Sequence, residues 1–409
     1  MNKKSTYTPP QKYLEKYAQV LVNFALGSGK GIKKGDTIAV FANEYSKPLY
    51  IEVLKAIWKS GGHVISKYEP INEPWFKFDK DFYEHAHDHQ IDFFPEKYYK
   101  GLIDQIDHSL FIISDTDKKS LQGVDSQKIM RRSAARKPYM EWRNEKEAQG
   151  KFSWTLGLYG TPAMAKEAGL SEKEYWNQII KSCFLDTENP IAVWKDLYKN
   201  LESYRKKLNK LKIQKVHVQG EDINLFVQLG SDRQWLGGRG ANIPSFELFV
   251  SPDWRGTEGW VRFNQPLYVH GNLIEGIELW FEKGVIVKSK AKKNEKMLKS
   301  LITTKNADKI GEFSLTDKRF SKINKFMAET LYDENFGGKY GNTHIAIGAA
   351  YRDSYVGDIS KITKEEWEKL GFNDSSVHTD IISTSNRTVT AYLPNGKTKV
   401  IYKDGEFCI

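Results

Sequence analysis

His378 and Asp380 lie two residues apart in the run VHTDIIS. On a β-like segment both side chains leave the same face, because strand side chains alternate with a period of two. A neutral imidazole and a carboxylate placed in this way can converge on one metal ion; taken alone, the spacing reads first as a buried hydrogen-bonded pair. More residues of these two types lie upstream. The segment LYDENFGGKYGNTHIAIGAAYRDSY carries Glu334, His344 and Tyr351, with glycines that let the chain turn sharply between the glutamate and the histidine. GANIPSFELFVSPDW places Glu247 where a Pro-containing turn enters an apolar strand, and KIGEFSLTD places Glu312. A glutamate within an apolar run is costly to desolvate unless it is paired or coordinated. Catalytic metal sites draw imidazoles and carboxylates from several elements, and a pair of divalent ions also needs a carboxylate able to bridge them. The second half of the chain supplies that set. Read singly, Glu247 and Glu312 are ordinary strand-edge glutamates, and Tyr351 is a core aromatic with a bonded hydroxyl.

The elements that must bring these side chains together fall into two textures. The chain has 409 residues, 40% apolar and 13% aromatic, which excludes disorder as its main state and allows large cores without disulfide or metal staples. Residues 1–190 read as an α/β domain: the apolar runs at 37–43, 63–68, 110–115 and 154–159 are each followed by helix-like sequence, the alternation that builds a parallel sheet covered by helices. Residues 191–409 read as an α+β domain. Short β-type runs such as KVHVQG, INLFVQLG, GWVRFN and TKVIYK are separated by Gly, Pro or Asn turns, and Asn395-Gly396 is a two-residue hairpin signal. Helical patterns at 189–212, 314–332 and 364–370 accompany them.

Charge and cysteine usage narrow the class. Lys plus Arg number 62 against 52 Asp plus Glu, a net charge of +10 that is small for the length but keeps a non-enzymatic nucleic-acid binder as the rival from another class. Two cysteines, Cys183 and Cys408, cannot build a multi-bridge framework or a four-thiolate zinc site, and their scarcity suits a reducing, cytoplasmic compartment. No stretch approaches the roughly 20 apolar residues of a membrane span. GSGKG at 27–31 fails as a phosphate loop: Gly31 stands where Ser or Thr should hold Mg²⁺, and the glycines follow a helix instead of a strand. EHAHDHQ puts His85 and His89 one helical turn apart, but without the glutamate of HExxH it reads as a solvated helical face. The basic stretches 131–137 and 283–299 read as solvated faces too.

Four motifs in register, GANIPSFELFVSP, KIGEFSLTD, TLYDENFGGKYGNTHIAIGAAY and SVHTD, closely resemble the thermophilic-type metalloaminopeptidases of peptidase family M29. The likeness extends over essentially the whole chain, including YLEKYAQVLVNFALG and WTLGLYGTPAMAKEAG. It implies a C-terminal catalytic domain holding two divalent ions (Zn²⁺, Co²⁺, Mn²⁺ or Mg²⁺) on Glu247, Glu312, Glu334, His344, His378 and Asp380, with Tyr351 at the family's active-site tyrosine. It also implies peptide substrates with a free N-terminus and a homodimer whose partner helps enclose the cavity. Two departures stand out: Ser245-Phe246 precede Glu247 where many relatives have a glycine, and the ten-residue step from Glu334 to His344 is longer than in the shorter versions of the motif. Glu329, His217 and His270 lie near the motifs but match no family ligand.

The physical reading of the residues agrees. Four carboxylates carry about −4 and two divalent ions about +4, so the site neutralises only when metal is bound, and the carboxylates alone would repel one another. The expected reaction is a two-metal hydrolysis in which a water's pKa falls toward neutrality, Tyr351 donates to the oxyanion, and Glu312 or Glu334 relays the proton to the leaving amine.

Overall fold

Residues 7–73, 75–230 and 232–409 are described in a computed structural model of the chain. TIAVFAN forms the strand Thr37–Asn43, which pairs in parallel with His63–Glu69 on one side and with His108–Ile113 on the other; Ser153–Leu158 completes the sheet beyond it, also in parallel. Alternation divides the central strand between two cores. Ile38 and Val40 face the helices Gln11–Val20 and Lys47–Lys59, whereas Ala39 and Phe41 face the helix Glu96–Gln105 and Trp142. The expected parallel sheet covered by helices is therefore present.

The first helix runs on through a π-type stretch, Leu21–Ala25, and ends where Gly27 and Ser28 adopt φ of 65° and 56°. GSGKG is thus a helix-ending turn. Past it, the helix Pro190–Lys210, capped by Asn189, joins the two halves of the chain; Trp194 on its buried face stacks on Phe24 from the first helix and on Phe246 beside Glu247.

The second half carries an eight-stranded antiparallel sheet in the order Val285–Lys290, Glu278–Glu282, Glu258–Arg262, Ile223–Gln228, Lys215–Gly220, Arg387–Tyr392, Thr398–Lys403 and Glu406–Phe407. A four-stranded antiparallel sheet, His378–Ser383, Asn342–Gly348, Ile310–Thr316 and Glu247–Val250, packs against it. Arg387 links the two, its guanidinium buried on Asp222 and Thr343 Oγ1. One continuous apolar core runs from Leu14 to Phe407.

Three local expectations need correction. Residues 314–332 are not a helix: the strand Ile310–Thr316 occupies the start, and only Thr330–Asp333 is helical at the end. The apolar residues there are buried on both sides of a sheet and a coil, so helical periodicity misread full burial. Asn395-Gly396 does not form a two-residue hairpin. Gly396 N–H donates to Leu393 O and Leu393 N–H to Lys397 O, a three-residue loop with Gly396 at φ 77°. His85 and His89 do not share a helix, because the chain breaks between Phe78–His85 and Asp88–Ile91. The basic stretch 131–137 is a surface of two helices, with Arg131 paired to Asp88 and Asp92. Among the described residues, no helix is long and apolar enough to cross a membrane.

A buried ion pair ties the loop after the third parallel strand to the second half: Lys118 Nζ lies 2.5 Å from Glu329 and 2.7 Å from Asp115. Four residues after Glu329, the Asp333 carboxylate accepts the N–H groups of Met327 and Glu329. The turn that presents Glu334 is fixed by these contacts.

Candidate metal centre

Pairing register decides which side chains share a face. In the four-stranded sheet Glu247 is opposite Thr316, His344 opposite Ser314 and Ile382, Ala346 opposite Glu312 and Asp380, and Gly348 opposite His378. Directly opposed residues point the same way and the face recurs at every second residue, so Glu247, Glu312, His344, His378 and Asp380 stand together. The reverse face carries Leu248, Val250, Phe313, Leu315, Ile345, Ile347 and Ile381, all within the main core. Ser314, Ala346 and Gly348, set among these residues on the site face, add little bulk. Gly348 is required for a second reason: at φ 100° a Cβ would lie 2.0 Å from Val377 O. A bulge at Gly311 sits directly before Glu312.

Glu334 arrives from outside the sheet, just after Thr330–Asp333. Its Oε1 accepts from Asn242 Nδ2 at 2.9 Å and from Asn335 Nδ2 at 3.3 Å. Asn335 Oδ1 in turn accepts Phe246 N–H at 2.6 Å, which ties Glu334 to the segment entering Glu247. Phe246 is a buried residue stacked on Trp194.

The functional atoms converge. His344 Nε2 lies 3.2 Å from Glu247 Oε2, 3.3 Å from Glu312 Oε1 and 3.9 Å from Asp380 Oδ1. His378 Nε2 lies 3.7 Å from Glu312 Oε2 and 3.6 Å from Asp380 Oδ1. Two groups result, Glu247 with Glu312 and His344, and Glu312 with His378 and Asp380, each with all its ligand atoms within 4.8 Å of one another. These are the groups of this kind among the described residues, so EHAHDHQ forms none. The Tyr351 ring stands 4.8 Å from the His378 ring, centroid to centroid. All seven residues expected at the site are therefore near it, with Glu334 outside both converging groups.

Taken as protein groups alone, the site is electrostatically tense. Burial pushes the Glu312 carboxyl up to about 7, with the His344 hydrogen bond opposing and Asp380 and Glu247 adding to the rise. Burial, then the charges of Glu247 and Asp380, lift Glu334 well above the usual carboxylate range. Burial alone would lower both histidines, but Glu247 and Glu312 outweigh it at His344, and Asp380 takes His378 to about 9. Burial is the largest single influence on Asp380 and would raise it, but His378 and His344 together hold the carboxyl below its ordinary value. Tyr351 is held well above its ordinary value by burial and the neighbouring carboxylates, so its hydroxyl keeps its proton.

The donor set fits divalent cations. His378 Nδ1 faces Ala349 O at 2.8 Å, and His344 Nδ1 faces Asn342 Oδ1 at 3.5 Å. The Asn342 amide is oriented by its own donation to Glu334 O at 2.6 Å. Both rings therefore carry hydrogen on Nδ1 and turn Nε2 to the carboxylates, so that a cation taking the place of the Nε2 proton would meet the arrangement used by metal-ligating histidines. Oxygen and imidazole donors suit hard or borderline divalent ions, which would replace the protons these groups otherwise share.

Sequence reasoning passed over the supporting polar residues: Asn242, Asn335, Asn342 and Ser314, whose Oγ donates to Glu247 Oε2 at 2.7 Å. A signal was available, since each lies in the same motif as a ligand. The metal face opens on a cleft of about 1540 Å³, whose far wall is Met140, Arg143 and Glu147 of the helix Lys137–Ala148 together with Trp154.

Comparison with known proteins agrees with this geometry. The family model described as thermophilic metalloprotease (M29) matches residues 10–407. Aminopeptidase AmpS of Bacillus subtilis is 29% identical over 416 residues, covering 96% of this chain and 98% of that protein. Aminopeptidase T of Thermus aquaticus is 31% identical over 318 residues, covering 73% of this chain and 76% of that one. The solved structure of wild-type AmpT from Thermus thermophilus superposes with a TM-score of 0.80 at 25% identity, covering 98% of this chain and 100% of that one.

Proposed function

This chain belongs to the thermophilic metalloprotease family M29 and is a peptide hydrolase; from that premise we propose that it is an aminopeptidase acting on peptides with a free N-terminus through two divalent cations. The carrying observation is that Glu312 belongs to both converging groups, one oxygen toward each histidine, as a bridging carboxylate must. The proposed ligands are Glu247, Glu312, Glu334, His344, His378 and Asp380. The rival reading, a nucleic-acid binder, gains no support from the family or the relatives.

When bound, such cations polarise a scissile carbonyl and bring the pKa of a water toward neutrality. The protein's own groups do the rest. His344 and His378, locked by their Nδ1 contacts, hold Nε2 in place without rotating, so no reorganisation is needed during turnover. The protonated Tyr351 hydroxyl donates to the oxyanion that develops on the substrate carbonyl. Glu312 and Glu334 are the carboxylates available to take the water's proton and return it to the leaving amine.

The division into 1–190 and 191–409 belongs to the same proposal: all four strands of the parallel sheet precede it, and all six ligands follow. So do a homodimeric assembly and a cytoplasmic location, to be checked by sedimentation and by cell fractionation. The activity itself is tested with an aminoacyl anilide. The chromophore is expected to be released from the unblocked substrate, to be lost with chelator and restored by Zn²⁺, Co²⁺, Mn²⁺ or Mg²⁺; turnover of the N-acetylated analogue at a similar rate would overturn the assignment.

A further inference from the structure

Asn242 is neither an expected ligand nor a member of either converging group, yet it is held from two directions. Its backbone segment extends the parallel sheet: Leu156 N–H donates to Ala241 O at 2.8 Å, Ile243 N–H donates to Leu156 O at 3.1 Å, and Thr155 Oγ1 donates to Gly240 O at 2.8 Å. These three residues therefore lie against the strand Ser153–Leu158 as a further, parallel neighbour. The side chain reaches the other way, with Nδ2 on Glu334 Oε1 at 2.9 Å.

We propose that Asn242 is a positioning residue for Glu334, and that through this amide the N-terminal parallel sheet sets the geometry of the cation site. The proposal rests on the reading of Glu334 as a ligand given above. As a cation ligand Glu334 is ionised and can only accept, so the amide presents Nδ2 to it, and Oδ1 is thereby turned into a buried place where no described group donates to it. A buried acceptor without a donor destabilises a fold. An asparagine serving packing alone has no reason to sit in that orientation. The contact with Glu334 does supply a reason: with Asn335 on the same oxygen, Oε1 is occupied by two N–H donors and Oε2 is the atom left for a cation. Donors of this kind behind a ligand commonly change metal affinity by about 10–100-fold.

The deciding experiment titrates metal-free protein with Zn²⁺ or Mn²⁺ by calorimetry and melts the same samples. In Asn242→Leu, which keeps the volume and removes the amide, one of two metal equivalents is expected to weaken roughly tenfold or more, while the metal-free protein melts no lower than the parent. If that variant does not fold, Asn242→Ala is read in the same way. Parent-like affinity at both equivalents, or a loss of affinity matched by a lower melting temperature of the metal-free protein, overturns the proposal. Failure of the parent protein to bind metal would instead overturn the reading of the site beneath it.

Discussion

Glu312 Oε1 lies 3.3 Å from His344 Nε2, and the other oxygen of the same carboxylate faces His378 at 3.7 Å. One buried side chain therefore stands between the two groups of ligands, on the central part of a sheet whose reverse face is solid core. Removal of a ligand on either flank should disturb both cations through this shared group.

His378→Ala and Glu247→Ala are accordingly each expected to lower kcat by on the order of 10³ or more, since loss of a ligand misplaces the activated water. Steady-state kinetics with metal analysis of the same preparations checks this. Near-normal turnover with full metal occupancy in either variant would refute the ligand assignment.

Chelation should loosen the fold as well as stop the reaction. Cations that bind only the folded chain stabilise it by about 2.7 kcal/mol at a free concentration one hundred times Kd, and here they also relieve repulsion among buried carboxylates. The melting temperature is expected to fall on chelator treatment and to recover with added metal. Superimposable melting curves with and without chelator would contradict the account.

Tyr351→Phe removes a hydroxyl whose proton is retained by burial and by neighbouring carboxylates. If that hydroxyl donates to the developing oxyanion, kcat should fall by about 10²–10³ with KM little changed. A rise in KM alone would make Tyr351 a substrate-binding group instead.

Lys118→Met leaves Glu329 buried without its partner, a change that typically costs about 3–5 kcal/mol. The urea midpoint should drop accordingly, and adding Glu329→Leu should restore much of it. A single variant as stable as the parent would show that the pair does not brace the Glu334 turn.

What the sequence revealed, and what it hid, follows from the range of the interactions. Thr37–Asn43 and the three other strands of its parallel sheet were legible because each is a local apolar run ended by polar or glycine residues. The metal face was legible because a period of two joins His378 to Asp380, and because the other ligands sit in long motifs. The segment 314–332 was misread because residues such as Leu315, Ile323 and Met327 are buried without any regular helix beneath them. Lys118 carried no local sign of its role, and Asn242, though it shares a motif with Glu247, carried none of the partner it acts on. Each acts on a group far along the chain, Glu334 in one case and Glu329 in the other, and only tertiary pairing brings them there.

The short stretch that adds itself beside Leu156 bears on whether the two portions can be separated. Cutting the gene near codon 190 would strip the carboxy-terminal portion of the ladder that shapes its reactive pocket and would leave an open strand edge on each fragment. Exchange of either portion for a foreign counterpart is therefore expected to need a newcomer that offers the same edge in the same register.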